Sequence, residues 1–189
     1  MIRDLVLRNR SYRRFFEEHV ISRETLLELV DLGRLTPSGG NKQPLKYILS
    51  CDKAKNARIF PTLLWAGYLA DWPGPVEGER PSAYVIVLQD KNIGASMVDH
   101  GISCQSMLLG AVEQGLGGCM LNNVKREELK KELNIPDHLD ILLVVALGKP
   151  KETVVLDEVA AGADIKYWRD GDKVHHVPKR KLADVIVDL

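Results

Sequence analysis

Residues 83–88 read A-Y-V-I-V-L and residues 141–147 read I-L-L-V-V-A-L. Neither run alternates with polar positions, so each suits a strand buried on both faces rather than one with a wet side. Such strands need cover above and below, and the stretches between them supply it. Ser22 is placed as an N-cap, with Glu24 in the first turn and Leu26, Leu29, Val30 and Gly33 following at helical spacing up to a stop before Pro37. From about Ala95 to Gln114, Val98, Ile102, Met107, Leu108, Ala111 and Val112 cover much of a helix circumference, which predicts a central helix. K-R-E-E-L-K-K-E-L at 125–133 predicts a charged amphipathic helix. Helices separating most of the strands make this a layered domain of α with β structure.

Other segments are punctuation or remain open. L-K-Y-I-L-S at 45–50 alternates well enough to be a strand, and G-L-G-G at 115–118 reads as the cap that ends the long helix. Residues 54–70 are mixed, with Pro61 a helix start or a kink, and W-P-G-P-V-E-G-E-R-P at 72–81 is an irregular connection expected to be mobile. In the tail, I-K-Y-W-R and K-V-H-H-V flank D-G-D as a hairpin would, and 181–189 is either a short helix or an extended arm. No repeat or linker divides the 189 residues, so 1–189 is expected to be a single domain.

Charge narrows the function classes. Twenty-six basic residues balance 26 acidic ones, so no overall field draws the chain to nucleic acid or to an anionic membrane, and any anion site has to be local. Arg3, Asp4 and Arg8 interrupt the first apolar residues too early for a secretory segment, and no apolar run approaches a membrane span. Cys51, Cys104 and Cys119 are odd in number and lack C-x-x-C spacing, which argues against a disulfide framework and a thiolate zinc site. A soluble protein of the reducing cytoplasm is the expectation. His175 and His176 are adjacent and would point to opposite faces of a strand, so no metal is expected.

Two segments offer chemistry. N-R-S-Y-R-R-F at 9–15 gathers three arginines and a hydroxyl, and Arg10, Ser11 and Arg13 would hold a phosphate if they are not simply a solvated basic turn. P-S-G-G-N-K-Q-P at 37–44 is a loop whose glycines let backbone N–H groups approach a ligand, although a tight helix-to-strand connection explains the same residues. No G-x-G-x-x-G follows a strand, and no G-x-S-x-G, H-E-x-x-H or Walker sequence is present.

Taken together, R-S-Y-R-R-F, P-S-G-G-N-K-Q-P-L, D-H-G-I-S-C-Q-S-M-L-L-G-A-V-E-Q-G-L-G-G-C and V-V-A-L-G-K-P resemble, in order and spacing, the FMN-dependent nitroreductase family. The resemblance implies an α+β fold, a mixed and mainly antiparallel sheet packed between helices, in an intertwined homodimer with two flavin sites at the interface. It places Arg10 and Ser11 on the phosphate and ribityl side of FMN and Arg13 near flavin N1 and O2, where a fixed cation stabilises the charge of the reduced ring. It makes Pro37, Ser38, Gly39, Asn41 and Gln43 flavin contacts and sets Leu121, Asn122 and Asn123 beside the reactive N5. Asn122 and Asn123 stand where better-known members carry Glu-Gly, and Asn9 where many carry a further arginine. Lys179 and Arg180 match a basic pair of a small bacterial subgroup, which makes them phosphate candidates.

The activity so implied is a ping-pong hydride transfer from NADH or NADPH, through flavin N5, to a small acceptor such as a nitroaromatic, a quinone or an enone. The alternatives are an FMN-dependent dehydrogenase or dehalogenase with a dedicated substrate, selected by residues 60–82, and a flavin-binding protein without turnover.

Overall fold

The computed structural model describes residues 1–187. The two apolar runs are adjacent strands at the centre of the main sheet. β1 (Phe15–Phe16), β2 (Leu45–Ser50), β3 (Ala83–Asp90), β4 (Gly117–Leu121) and β5 (Leu139–Pro150) make up this sheet, in the order β1-β5-β3-β2 with β4 also on β5. Every pairing in it is antiparallel. Val85 lies opposite Val145 and both are fully buried.

Alternate residues of β3 enter two separate cores, as strands covered on both faces must. Ala83, Val85 and Val87 meet Leu26, Leu29, Cys104 and Met107, which come from α2 (Arg23–Arg34) and α4 (Asp99–Glu113). Tyr84, Ile86 and Leu88 meet Ile59 of α3 (Lys53–Ile59), Leu129 of α5 (Arg126–Glu132), and Leu63 and Trp65 of the connection from α3 to β3. Each fully buried aliphatic side chain stabilises the layers by about 1.5–3 kcal/mol. Ser22 caps α2 as the sequence predicts, its Oγ accepting from Thr25 N at 3.0 Å. Gly33 brings α2 close to α4, since a Cβ there would stand 2.5 Å from Ser103 Oγ.

Three elements depart from the sequence expectations. Ile2–Arg8 form a helix, α1, that lies on α4. The glycines at 117 and 118, expected to belong to a helix cap, begin strand β4 instead. Residues 154–159 form β6, which pairs in parallel with β8 (His175–Arg180), while β7 (Trp168–Arg169) returns antiparallel as the expected hairpin. The strands are therefore mixed and mainly antiparallel. The connection at 72–81, expected to be mobile, is irregular but anchored. Glu17 accepts from Gly78 N at 2.5 Å and Arg80 N at 3.3 Å, and Glu79 pairs with Arg14.

The tail forms a single turn at Leu182–Val185. Leu182, Val185, Ile186 and Val187 are all exposed, so these side chains do not cap the chain's own core. Leu189 lies outside the described residues.

Candidate functional site

The three arginines at 10, 13 and 14 have three different surroundings. Arg10 is half-buried; one terminal nitrogen donates to Val6 O at 2.6 Å, and its buried Nε has no partner among the described residues. Ser11 is exposed and pairs with Gly118 of β4, where Tyr12 N donates to Gly118 O at 3.1 Å. Arg14 makes a two-pronged ion pair with Glu79, at 2.5 and 2.6 Å.

Arg13 turns inward and is 9% exposed. Its guanidinium donates to Ser11 O at 3.2 Å and to His175 Nε2 at 3.1 Å, and lies 4.8 Å from the centre of the Tyr167 ring. A guanidinium has only donors, so His175 has to accept through Nε2. Burial, then the nearby Arg13 and Arg169, push the His175 pKa down to about 4, so the ring is neutral and carries its proton on Nδ1. That Nδ1 is buried without a partner among the described residues. The carboxylate beneath, Glu152, accepts from the backbone N–H groups of Arg13 and Arg14 and from Arg169 at 2.9 Å. The sequence grouped Arg10, Ser11 and Arg13 around one ligand; of the three, Arg13 is the one that packs against His175 of the C-terminal sheet and Tyr167 just before it.

The 37–43 loop is held by a residue the sequence reasoning passed over. Asp99, 5% exposed at the start of α4, accepts from Ser38 Oγ at 2.6 Å and from Gly39 N at 3.2 Å. The Ser38 hydroxyl holds the Asp99 carboxyl below the usual carboxylate range. Ser38 Oγ also accepts from Gln43 N at 2.9 Å, which closes the loop. Asn41 and Gln43 both stand at φ 52°, in the left-handed region that costs a non-glycine residue energy. Their side chains are exposed together with Pro37 and Gly39, and Gln43 Nε2 donates to Asn41 Oδ1 at 3.2 Å. Six residues along α4, roughly 9 Å, Gln105 accepts from Asn9 Nδ2 at 3.3 Å. One helix thus positions both the loop and the residue just before the basic stretch.

β4 connects the remaining candidates. Gly118 admits no side chain, because a Cβ there would stand 2.5 Å from Ala146 O. Four residues on, roughly 13 Å along the strand, Asn122 and Asn123 are exposed, while Leu121 is buried in the core. Arg126 fixes this end by donating to Asn122 Oδ1 at 2.8 Å and to Leu142 O at 2.8 Å. Asn123 O accepts from Leu64 N at 3.0 Å, so the connection from α3 to β3 passes beside the two asparagines. Lys179 and Arg180 are exposed at the end of β8 and make no hydrogen bond to the basic stretch or the 37–43 loop among the described residues.

Neither the two buried cysteines nor the second histidine adds reactive chemistry here. Cys104 and Cys119 are buried, and burial pushes the Cys104 thiol up to about 12 and the Cys119 thiol upward. His176 points away from His175, stacks on Trp168 at 4.1 Å and meets Asp157 at 2.9 Å. The His175 and His176 side chains therefore diverge, as adjacent strand positions require. A groove of about 420 Å³ lies elsewhere, between Glu17–Ile21 and Gly78–Tyr84, and none of the candidate residues lines it.

The Nitroreductase family profile matches residues 6–149. A protein of Archaeoglobus fulgidus with the provisional name NADH dehydrogenase/NAD(P)H nitroreductase is 26% identical over 148 residues, spanning 74% of this chain and 80% of its own length. A nitroreductase family protein of Clostridium novyi NT overlays with a TM-score of 0.64 at 22% identity, over 80% of this chain and 87% of its own. An FMN-dependent nitroreductase of Clostridium difficile R20291 overlays with a TM-score of 0.62 at 20% identity, over 80% and 88%. At these identities the two overlays speak for the fold. The C-terminal sheet lies beyond the family match.

Proposed function

The chain belongs to the Nitroreductase family of oxidoreductases, and from that premise we propose that it binds FMN and moves electrons from NADH or NADPH to a nitroaromatic, quinone or enone. The observation that carries this reading is the pairing of Ser11 with Gly118. It sets the basic stretch against the strand that leads into Asn122 and Asn123, two segments far apart in sequence that one cofactor would have to span.

The donor set fits a phosphate ester. Arg10 Nε is without a partner among the described residues, and the Ser11 hydroxyl is exposed beside it in sequence. A guanidinium fork and a hydroxyl suit a group carrying close to two negative charges. Lys179 and Arg180 are further phosphate donors in this reading. Asn41 and Gln43, held in the left-handed region by the Asp99-anchored loop, offer amide donors and acceptors to a polar ring edge. Arg13 supplies fixed positive charge, and Asn122 and Asn123 line the reacting end. When bound, FMN accepts hydride from NAD(P)H and returns two electrons to the acceptor.

The working unit in this reading is a homodimer in the cytoplasm. Ile2, Val6 and Leu7 of α1, Ile102 of α4, Met97 and Val98 just before it, and Leu182 and Val185–Val187 of the tail are exposed apolar side chains. Such surface marks an interaction site. Among the described residues, no helix is long and apolar enough to cross a membrane.

The test is reconstitution of purified protein with FMN, followed by anaerobic reduction with each nicotinamide and reoxidation with a panel of acceptors. Release of FMN on denaturation and reduction by either nicotinamide are the expected results. Protein that takes up no FMN, or that holds FMN which no nicotinamide reduces, sinks the reading.

A further inference from the structure

Arg13 is a buried cation with no carboxylate at its guanidinium among the described residues. Glu152, which accepts from the Arg13 backbone, spends its oxygens on the backbone N–H groups of Arg13 and Arg14 and on the Arg169 side chain. No ion pair involves Arg13 among the described residues, whereas Arg14 and Arg169 each have one. A charge so placed is costly unless something satisfies it. What satisfies it here is neutral: Ser11 O, His175 Nε2 and the face of Tyr167. These partners fix the direction of the guanidinium without cancelling its charge. A carboxylate in the same place would neutralise it.

Two of the three belong to the C-terminal sheet. Tyr167 directly precedes β7 and His175 opens β8, in register with Arg169, so both lie beyond the residues that match the family. The sheet is tied down around them. The Tyr167 and Tyr68 rings stand 5.0 Å apart, those of Tyr167 and His175 5.2 Å apart, and Arg169 lies 4.2 Å over Trp72. A rigid support of neutral acceptors around one cation is what electrostatic preorganisation requires, since nothing has to rearrange when charge develops nearby.

We propose that His175 and Tyr167 are positioning residues for Arg13, holding its guanidinium as a fixed, unneutralised cation, so that the C-terminal sheet sets the electrostatics of the cofactor site. The inference rests on the proposed FMN function. His175 and Tyr167 touch neither cofactor nor substrate and act through Arg13 alone.

The experiment uses the full chain reconstituted with FMN and reads the flavin reduction potential, the FMN dissociation constant and the rate of reduction by NADPH or NADH. Loss of one acceptor to a charged group predicts that His175→Leu slows reduction about tenfold and lowers the potential. His175→Gln keeps a side-chain acceptor and is expected to stay within about twofold of wild type. Tyr167→Leu should behave as His175→Leu does, and Tyr167→Phe, which keeps the ring face, as wild type. In an Arg13→Ala background, His175→Leu should change nothing further, because its effect passes through the missing guanidinium.

Variants with a lowered melting temperature but wild-type potential and reduction rate overturn the proposal and leave the FMN reading standing. So does an additive effect in the Arg13→Ala background. If His175→Leu does not fold, the Tyr167→Leu and Tyr167→Phe pair decides by the same readouts. Wild-type protein that binds no FMN overturns the functional reading and this inference together.

Discussion

Glu79 ties the connection after Trp72 to the basic stretch. It accepts both prongs of Arg14, and Lys151 Nζ lies 3.4 Å away. The Arg14 hydrogen bonds pull its pKa from the ordinary 4.5 down to about 2. A depressed carboxylate stabilises the fold above its unfolded pKa, and that contribution is lost as pH falls from about 4.5 towards 2. Glu79→Gln should therefore cost about 3 kcal/mol at neutral pH and flatten the acid-unfolding curve in that window, read by circular dichroism across a pH series. His175 works in a different window. Its folded pKa is lowered from 6.5 to about 4, so protons favour the unfolded chain and stability declines as pH drops through that interval. His175→Gln should remove up to about 1.4 kcal/mol per pH unit of that decline. No partner for Arg13 or Arg14 was legible in the sequence, because charge is visible in a sequence and its compensation is not. Glu79 and Glu152, which separate their fates, lie far along the chain from them.

At the scale of elements, the strands that a sequence displays are those whose side chains do the packing. β3 and β5 are continuous apolar runs and were legible, as were Ser22 and the periodic faces of α2 and α4. β4 was not, because it is a strand by virtue of what it lacks. A Cβ at Gly117 would stand 2.6 Å from the Tyr12 ring, and at Gly118 2.5 Å from Ala146 O. Two glycines after a helix read as a cap, whereas here they let two backbones approach. Gly118→Ala should lower stability by about 1–3 kcal/mol and weaken FMN binding with it, since the backbone of β5 cannot yield and β4 would carry Ser11 away. Melting temperature and flavin titration measured on the same samples check both effects. Asp99 escaped notice for another reason: a lone acid at a helix start is ordinary, and only the fold brings Ser38 and Gly39 onto it. Asp99→Ala should cost about 1–3 kcal/mol, leave the 37–43 loop cleavable by protease, and reduce FMN affinity.

At the scale of the whole molecule, the exposed tail makes a specific demand. Leu182, Ile186 and Val187 are 76%, 58% and 78% exposed, and residues 181–187 add nothing to the described core. If the tail is an arm across the dimer, truncation at Lys181 should lose the dimer and FMN together, as read by light scattering and flavin analysis. A truncated chain that stays dimeric and yellow but melts earlier would speak against an arm. The order in which the chain is made gives β5 a further significance. It receives β1, β3 and β4, yet the ribosome produces it after all of them. Until residue 150 has emerged, β3 can pair only with β2 and β4 has no strand beside it, so the sheet is expected to stay incomplete. Assembly should then come as one late, cooperative event, with the C-terminal sheet closing over Arg13 only after β5 is in place.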